Sequence, residues 1–438
     1  MTLPIGFKRS EILVRQEDFG WIIALPNADI DFYEDAVSDL INVPPQDILR
    51  ADALDQHRLR SLKIDHKHFF LRAPLVVSIE ITRRCNLPCI HCYLSAGAAR
   101  DTELSEGELR RLILQLCEMG VFCIQFTGGE PLLCSYTVDL IREAHSLGLV
   151  TALSTNGLLL TPEIIARLPK KNFSVGLSLD GIGAGECIRG SKADFETLTR
   201  KIILLRDAGI TLDVMLTLNR LNLNDAPAVI AWCQENDVFL EILDIQPFGR
   251  AKLHPEIIPC IDDVEKDLLV YTLKEELEDS FEKRHGPREE LIYPGFINMC
   301  YWINMMTRRC KGGRSMAYIA SDGHVFPCSN CASEEILSPG TITSIPFPEI
   351  WRELHWPIRS IVWGDFNECE DCELASPPYY CCGRCPALSH AKFDGNLLRC
   401  GASRYTKTMI RSRTHMHMQM HTRMTHRQIN PARVTISK

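Results

Sequence analysis

The sequence lacks three features that would place the protein in a membrane, on a secretory route or on a nucleic acid. No stretch approaches the roughly 18 uninterrupted apolar residues that a membrane-spanning helix needs. The amino-terminal stretch MTLPIGFKRSEILV has no apolar run after a basic start, as a secretory signal peptide would have. The net charge of −8 supplies no basic field that would attract nucleic acid. We therefore expect a cytoplasmic protein that binds neither a membrane nor a nucleic acid.

Cysteine is the residue type that the sequence has in excess. The 438 residues include 19 cysteines, whereas the apolar fraction of 45% and the charged fraction of 24% are ordinary for a globular protein. Cysteines in a reducing compartment rarely form disulfides, and an odd number cannot all be paired. Clustered thiolates in such a protein predict metal binding. The isolated Cys117, Cys123, Cys233 and Cys260 are interpreted as small buried apolar residues.

Strand-like and helical patterns alternate through the middle of the chain. A capping box at Ser105 and Glu108 predicts one of the helices, and Gly120 predicts its end. Six such strand–helix units predict a parallel sheet with helices outside it, in the form of a partial (β/α)6 barrel of the TIM type. The six strand-like runs cover residues 75–82, 121–127, 149–155, 173–179, 210–217 and 238–245.

Changes of composition divide the chain into five predicted segments. Residues 1–70 read as short strands followed by a helix, which predicts a small winged-helix-like module, and residues 71–250 form the barrel. Residues 251–299 are a charged helical linker, and residues 300–408 are rich in cysteine, glycine and proline. Residues 409–438 form a tail rich in Met and His, which could bind a soft metal but is better explained as a disordered segment.

Three cysteines in the stretch CNLPCIHCY follow the first predicted barrel strand. Cys85, Cys89 and Cys92 could each hold one iron of a [4Fe–4S] cluster, whose four irons each need an outer ligand. The fourth iron would then remain open to a small molecule, as the open position of a catalytic zinc site does. A zinc knuckle with a distant fourth ligand is the structural alternative.

Polar residues follow the next strands, at the end of the barrel where active sites gather. Gly128 and Gly129 would let the backbone approach a ligand closely, and Glu130 would offer a carboxylate to an ammonium group. Ser154-Thr155-Asn156-Gly157 ends the third strand, and Ser178-Leu179-Asp180-Gly181 ends the fourth. Each stretch alone could be an ordinary turn. Their recurrence beside a three-cysteine loop predicts a functional site.

These motifs resemble those of the radical S-adenosylmethionine (radical SAM) enzymes over residues 75–246. The motif C-x3-C-x2-C of that family corresponds to Cys85, Cys89 and Cys92, and its second motif corresponds to Gly128-Gly129-Glu130. The resemblance implies that the methionyl amine and carboxylate of S-adenosylmethionine chelate the open iron. It also implies that one electron from the cluster cleaves the sulfonium to a 5′-deoxyadenosyl radical, which abstracts hydrogen from a substrate.

The resemblance also implies roles for individual residues of the site. Gly129 and Glu130, within the glycine-rich motif that begins at Gly128, would hold the methionyl amine. Ser154 and Asn156 would face the ribose or the carboxylate, and Arg189 would pair with a carboxylate. His91 occupies the position that is often aromatic just before the third cysteine.

The order and spacing of the cysteines in the carboxyl-terminal segment are similar to those of the SPASM domain. This domain is an extension of radical SAM enzymes that modify peptides and proteins. Gly323 lies at the expected place between Cys310 and Cys328. The resemblance implies two auxiliary [4Fe–4S] clusters. The first would be held by Cys310, Cys328 and Cys385, and the second by Cys369, Cys372, Cys381 and Cys400.

Two departures from that pattern leave ligand assignments open. The gap between Cys372 and Cys381 is longer than usual, so Cys382 could replace Cys381. Cys300 is the expected fourth ligand of the first auxiliary cluster, although its spacing is loose, and Cys331 is a competitor. If the fourth position were empty, the open iron could hold a substrate thiolate.

Residues 9–65 weakly resemble the peptide-recognition element that accompanies such enzymes, in which a sheet edge can bind an extended leader peptide. The alternative is that this segment only caps the barrel, and we favour the recognition element. We therefore predict a maturase that acts on a ribosomal precursor peptide with a leader, and a flavodoxin- or ferredoxin-like protein as its electron donor. A thioether is the expected crosslink, and carbon–carbon crosslinking is the next alternative.

Two further alternatives differ in reaction or in class. Side-chain oxidation, as in sulfatase-maturing enzymes, would not need the amino-terminal module. A non-enzymatic iron–sulfur electron carrier would need the clusters but not Gly128-Gly129-Glu130.

Overall fold

The architecture of the chain is that of a computed structural model. The model describes residues 7–9, 12–18, 20–24, 30–33, 70–285, 300, 309–375 and 384–414. The predicted helix of the amino-terminal module, Cys381, Cys382 and most of the Met/His-rich tail lie outside these residues. Among the described residues, no helix is both long enough and apolar enough to cross a membrane.

The described strands form two sheets, one small and one large. They are β1 (Phe7–Arg9), β2 (Ile12–Glu17), β3 (Gly20–Ala24), β4 (Ile30–Tyr33), β5 (Val76–Glu80), β6 (Cys123–Thr127), β7 (Val150–Thr155), β8 (Phe173–Ser178), β9 (Thr211–Leu218), β10 (Phe239–Asp244), β11 (Met316–Ile319), β12 (His324–Phe326) and β13 (Gly340–Thr341). Strands β1 to β4 pair antiparallel in sequence order, and strands β5 to β13 build the large sheet.

The described helices are mostly the connections between the strands of the large sheet. They are α1 (Glu106–Glu118), α2 (Thr137–Ser146), α3 (Pro162–Arg167), α4 (Ala184–Arg189), α5 (Phe195–Asp207), α6 (Ala226–Glu235), α7 (Val264–His285), α8 (Ser329–Ser333), α9 (Phe347–Arg352), α10 (Pro357–Ser360), α11 (Pro386–Lys392) and α12 (404–414). Short 3-10 turns cover Pro131–Leu133, Gly249–Leu253, Pro255–Ile257, Ile261–Asp263, Trp363–Asp365, Asn367–Cys369 and Glu373–Ala375.

The large sheet has the strand order β10-β9-β8-β7-β6-β5-β11-β12-β13. Every neighbouring pair from β5 to β10 is parallel, with helices in the connections, which confirms the predicted partial (β/α)6 barrel. Strand β11 pairs parallel with β5, and β12 and β13 follow antiparallel. The sheet therefore continues from the barrel into the cysteine-rich segment, and the division into five segments stays a prediction.

Local sequence signals explain where the helices begin and end. The N–H of Glu108 donates to the Ser105 hydroxyl, while the Glu108 carboxylate accepts from the Ser105 N–H, so both groups are satisfied at the start of α1. Gly120, with φ of 78°, follows the end of this helix. Asp194 caps α5 in the same way through the N–H of Thr197.

The two faces of the barrel sheet differ in chemistry because side chains alternate along each strand. Outer-face residues such as Ile124, Phe126 and Leu153 are fully buried in one core with the helices. Each such side chain contributes about 1.5–3 kcal/mol of burial free energy. The inner face is partly exposed at positions such as Ser154 and Glu241.

The small amino-terminal sheet is anchored to the barrel by one buried arginine. The guanidinium of Arg15 donates to the carbonyl oxygens of Ala73, Pro74 and Gly120 at 2.8–3.1 Å and pairs with Glu17 at 2.7 Å. These carbonyls precede β5 and β6, at the amino ends of the strands. The small sheet therefore docks at the end of the barrel opposite the three-cysteine loop.

Arg15→Ala is expected to lower the free energy of unfolding by about 3–5 kcal/mol. The change leaves the buried Glu17 carboxylate without its cation and three carbonyl groups without their donor, and removing one partner of a buried ion pair typically costs this much. Urea unfolding measures the loss. The matched control is Arg200→Ala, which breaks an exposed helix pair and should change stability by no more than about 0.5 kcal/mol. Equal effects of the two changes would contradict the anchoring role.

Candidate metal centre

The three-cysteine loop follows β5 and closes on itself through backbone hydrogen bonds. The N–H of Cys85 donates to the Gly97 carbonyl at 3.1 Å, and the N–H of Cys92 donates to the Cys89 carbonyl at 3.2 Å. Arg250, beyond β10, reaches across the barrel and donates to the Cys89 carbonyl at 2.8 Å and to the Ala96 carbonyl at 2.6 Å. The loop is thus held in place before any metal binds.

The three thiols are close to one another and partly withdrawn from water. Burial raises the pKa of Cys89 to about 11, with further contributions from Cys92 and Cys85, and burial likewise raises the pKa of Cys85. Bound iron reverses this effect, because a coordinating metal stabilises the thiolate form. The Cys92 sulfur accepts from the Ala96 N–H at 3.4 Å, as the sulfurs of iron–sulfur sites do.

The donor set of this loop fits an iron–sulfur cluster. In the described part of the chain, no three Cys, His, Asp or Glu side chains are arranged to hold a single metal ion. The loop offers three thiols from one short segment, and its histidine, His91, approaches the Asp180 carboxylate instead. A [4Fe–4S] cluster held there would supply the electron that the family resemblance implies for cleavage of S-adenosylmethionine. Cys85, Cys89 and Cys92 as its ligands stay a prediction from the sequence.

The glycines after β6 permit close contact with the chain's own backbone. The N–H of Gly129 donates to the Thr82 carbonyl at 2.7 Å, and the N–H of Glu130 donates to the Arg84 carbonyl at 2.8 Å. A Cβ on Gly128 would lie 2.5 Å from the Thr82 carbonyl oxygen, and one on Gly129 would overlap the Arg84 carbonyl oxygen. These glycines therefore seat the segment that leads into Cys85. Their expected role, to let the backbone approach a ligand closely, stays a prediction.

Glu130 is a fully buried carboxylate that joins the ends of β6 and β7. Its oxygens accept from the Thr155 hydroxyl at 2.8 Å, the Asn156 N–H at 2.8 Å and the Leu132 N–H at 3.0 Å. Burial raises the pKa of this carboxyl, and the three donors oppose the rise. A carboxylate has about four acceptor positions, so one remains for an ammonium group such as the methionyl amine.

The other polar residues predicted at this end lie against the loop or on the inner face. The Asn156 amide donates to the Asn86 side chain at 2.7 Å, which ties the end of β7 to the three-cysteine loop. The Ser154 hydroxyl accepts from Gln125 at 2.9 Å, and Gln125 in turn accepts from Ser78 at 2.7 Å. This ladder crosses three neighbouring strands on the inner face.

Arg189 is held by a carboxylate of the protein itself. Its Nε lies 2.5 Å from the Asp180 carboxylate, and its Nη1 lies 3.9 Å from the Cys89 sulfur. His91 approaches the same carboxylate at 3.5 Å, and burial lowers the pKa of His91 to about 4. From the sequence, Asp180 was expected only as a member of the polar stretch that ends the fourth strand, with no role of its own. The pairing of Asp180 with Arg189 depends on a contact between the end of β8 and α4, and no sequence motif predicts this contact.

A second polar network connects the loop to the cysteine-rich segment. The Glu80 carboxylate, at the end of β5, accepts from the Tyr318 hydroxyl at 2.6 Å and the Ser321 hydroxyl at 2.9 Å, and it pairs with Arg83 at 2.7 Å. All of these groups are largely buried. The beginning of the three-cysteine loop is therefore fixed by residues of the β11 segment and by Arg83 of the loop itself.

The structure brings together some of the carboxyl-terminal cysteines. Cys310, Cys328, Cys331 and Cys385 influence one another's ionisation; burial, together with Cys328 and Cys310, raises the pKa of Cys385 to about 12. Cys300 lies elsewhere, with its sulfur 3.6 Å from the Ser315 carbonyl oxygen.

The predicted second auxiliary set is only partly within the described residues. The N–H of Cys372 donates to the Cys369 carbonyl at 3.3 Å. Glu368 accepts from the Cys400 N–H at 3.3 Å, so the segment containing Cys400 lies beside the pair. Cys381 and its alternative Cys382 lie outside the described residues. This set stays a prediction.

Glu130→Ala is expected to weaken S-adenosylmethionine binding about ten- to a hundredfold without removing iron. A buried hydrogen bond to a charged group contributes about 1.5–3 kcal/mol. Equilibrium binding and iron content measure the two effects. Thr155→Val is the matched control, because it removes one hydrogen bond to the carboxylate and keeps its charge. Equal losses of affinity in both variants would show that Glu130 acts only by holding β7.

The fold and this site together define a class of protein: a partial barrel with three thiols at the carboxyl ends of its strands, followed by a cysteine-rich domain. Residues 79–233 match the model of the radical SAM superfamily, and residues 310–373 match SPASM, an iron–sulfur cluster-binding domain. The chain therefore contains a radical SAM domain followed by a SPASM domain. It is an enzyme with [4Fe–4S] clusters and S-adenosylmethionine as cofactors, which excludes the non-enzymatic carrier.

Three similar proteins illustrate the range of the family. The AdoMet-dependent heme synthase of Nitratidesulfovibrio vulgaris is 29% identical over 332 residues, which cover 72% of this chain and 88% of that protein. The mycofactocin maturase MftC of Mycolicibacterium smegmatis is 29% identical over 290 residues, covering 64% and 71%. The structure of Streptococcus suis SuiB bound to precursor peptide SuiA has a TM-score of 0.66 at 16% identity, covering 92% and 99%. This last likeness concerns the fold alone.

Proposed function

We propose that this radical SAM enzyme is a peptide maturase that acts on a ribosomal precursor peptide with a leader. The observation that supports this proposal most directly is the four-stranded amino-terminal sheet, which is attached to the barrel through the buried Arg15. Its outer strands β1 and β4 each have one strand neighbour within the described residues. An extended leader could pair with such an edge through backbone hydrogen bonds.

The position of this sheet constrains the substrate. The sheet lies at the amino ends of the barrel strands, whereas the three-cysteine loop lies at their carboxyl ends. A parallel strand rises about 3.3 Å per residue, so strands of five or six residues separate the two ends by about 17–20 Å. The precursor therefore needs a spacer of at least about six extended residues between the docked leader and the residue that is modified.

The protein's own residues would prepare the site for the reaction. Glu130 would hold the methionyl amine on its remaining acceptor position, while Asn156 and Arg250 keep the three-cysteine loop in place. The partly exposed inner face would receive the core peptide. When bound, S-adenosylmethionine supplies the radical that removes one hydrogen atom from this peptide.

The crosslink that we propose is a thioether between a substrate carbon and a cysteine sulfur. One hydrogen atom leaves on 5′-deoxyadenosine, a bond forms between the substrate carbon and a cysteine sulfur, and the thiol proton is released. The remaining electron passes to an auxiliary site of the SPASM domain. The product therefore lacks two hydrogen atoms. Carbon–carbon bond formation has the same balance, so the mass change alone does not distinguish the two.

A tetrapyrrole substrate is the second candidate, because one of the similar proteins is named a heme synthase. Heme and its precursors have carboxylate side chains, which a binding site would meet with basic residues. The six barrel strands contain no Lys or Arg, and their inner face includes Asp213 and Glu241. This arrangement disfavours a substrate with several carboxylates and favours a neutral or cationic peptide.

The test compares a full-length precursor, encoded as a short peptide beside the enzyme's gene, with the same peptide without its leader. With S-adenosylmethionine and a flavodoxin or dithionite as reductant, the full-length peptide should lose two hydrogen atoms, measured by mass spectrometry. The leaderless peptide should react far more slowly, because the leader supplies an effective concentration in the millimolar range. Turnover of an iron porphyrin with carboxylate side chains, and of neither peptide, would overturn the proposal.

A further inference from the structure

Four thiols converge beside strand β12 in the SPASM domain. The sulfurs of Cys328 and Cys331 are 3.8 Å apart, and both residues lie where the chain leaves β12 and enters α8. Cys310 and Cys385 are close enough to interact electrostatically with Cys328 and Cys331. Cys331 is almost completely buried, and the other three cysteines are half-buried.

The spacing of Cys328 and Cys331 explains why they face the same way. Cys328 is the residue just before α8, and Cys331 is in its first turn, so the two are three positions apart and on one side of that turn. Backbone N–H groups of Asn330 and Cys331 are directed at the Cys328 sulfur. Hydrogen bonds of this kind stabilise a thiolate that binds iron.

Cys300 is placed in a different environment. Its thiol donates to the Ser315 carbonyl oxygen, and its charged neighbours are Arg15 and Lys311. It also lies near Cys123, which begins β6 at the amino end of the barrel. Cys300 is fully buried there, and none of the four converging thiols is among the groups that affect it.

We infer that Cys331, in place of Cys300, is the fourth protein ligand of the first auxiliary cluster, together with Cys310, Cys328 and Cys385. Four thiolates satisfy all four irons of a [4Fe–4S] cluster. No iron of this cluster is then open, so a substrate thiolate does not bind there. The role left to the site is electron transfer. This inference depends on the SPASM domain and not on the identity of the substrate.

The surroundings of Cys331 fit such a role. Cys331 belongs to an apolar cluster with Leu94 and Phe248, against which Cys92 and Tyr93 of the three-cysteine loop also pack. The Tyr93 hydroxyl is hydrogen-bonded to Ser329, the residue after Cys328. The two cysteine sites are therefore connected through a dry, packed region that contains an aromatic side chain.

The experiment uses the full chain with Cys85, Cys89 and Cys92 all changed to Ala, so that the remaining iron is auxiliary. Cys331→Ala and Cys331→Ser are added to this background, with Cys300→Ala as the matched control. After anaerobic reconstitution with iron and sulfide, iron content, zinc content and electron paramagnetic resonance are measured. Both Cys331 variants should lose about one iron or more per chain and give a [3Fe–4S] signal on oxidation, or lose one cluster of about four irons. Cys300→Ala should keep the iron content and spectrum of its parent.

A second measurement also tests the parent protein, whose auxiliary iron is retained. Added 2-mercaptoethanol should change the spectrum of the Cys331→Ala protein, because an outside thiolate can occupy the vacated iron. It should leave the parent spectrum unchanged. A parent that responds to the thiol, a Cys300→Ala variant that loses iron, Cys331 variants identical to the parent, or stoichiometric zinc in place of iron would each overturn the inference.

Discussion

The triple variant with Cys85, Cys89 and Cys92 changed to Ala is expected to lose all cleavage of S-adenosylmethionine. It should keep about two thirds of the iron of the unchanged enzyme, if each of three sites holds a four-iron cluster. The loss is complete because all three predicted protein ligands of the S-adenosylmethionine-binding cluster come from this one loop. Formation of 5′-deoxyadenosine under dithionite, measured chromatographically, decides the outcome.

The matched control changes three isolated cysteines, Cys117, Cys233 and Cys260, to Ala. They are distributed over α1, α6 and the segment before α7, where small side chains can replace them at modest cost. This control should keep its full iron content and continue to cleave S-adenosylmethionine. Cleavage that persists in the loop variant, or equal iron losses in both proteins, would contradict the assignment of the loop.

Gly129→Ala is expected to have the second largest effect. A Cβ at this position would overlap the Arg84 carbonyl oxygen and lie 2.7 Å from the Arg83 carbonyl oxygen, and both belong to the backbone. Backbone cannot rotate away as a side chain can, so the segment leading into Cys85 has to move. Overpacking of this kind costs about 1–3 kcal/mol or more. Because this strain falls on the segment that leads into the site, cleavage of S-adenosylmethionine should fall about five- to a hundredfold or more, since 1.4 kcal/mol corresponds to a factor of ten.

Gly97→Ala is the control for this change, because Gly97 lies in the same loop and a Cβ there would meet nothing within 4 Å. The N–H of Gly97 donates to the Arg83 carbonyl, and its own carbonyl accepts from Cys85, and both bonds persist with alanine. Activity and iron content should stay within about a factor of two of the unchanged enzyme. The prediction is wrong if the two alanine variants behave alike in cleavage and in thermal unfolding.

The barrel could be predicted because its signals are local. The alternation of strand and helix patterns, the capping box at Ser105 and the glycine after α1 each depend on residues close together in sequence. The pairing of β11 with β5 could not be predicted, since it joins segments more than 200 residues apart. The same limit applies to Arg15, which reads as an ordinary charged residue in a short strand until its carbonyl acceptors are seen.

By itself, the sequence determined the class of this enzyme. Cluster binding requires the spacing of Cys85, Cys89 and Cys92, and the second motif is Gly128-Gly129-Glu130. Each motif consists of residues close together in the sequence, so both can be recognised without knowledge of tertiary contacts. Only the tertiary structure decided what the glycines and Glu130 contact and where the amino-terminal sheet docks. It also separated Cys300 from Cys331. The thiols at the start of α8, just before α11 and in the segment before β11 come together only through packing between distant parts of the chain.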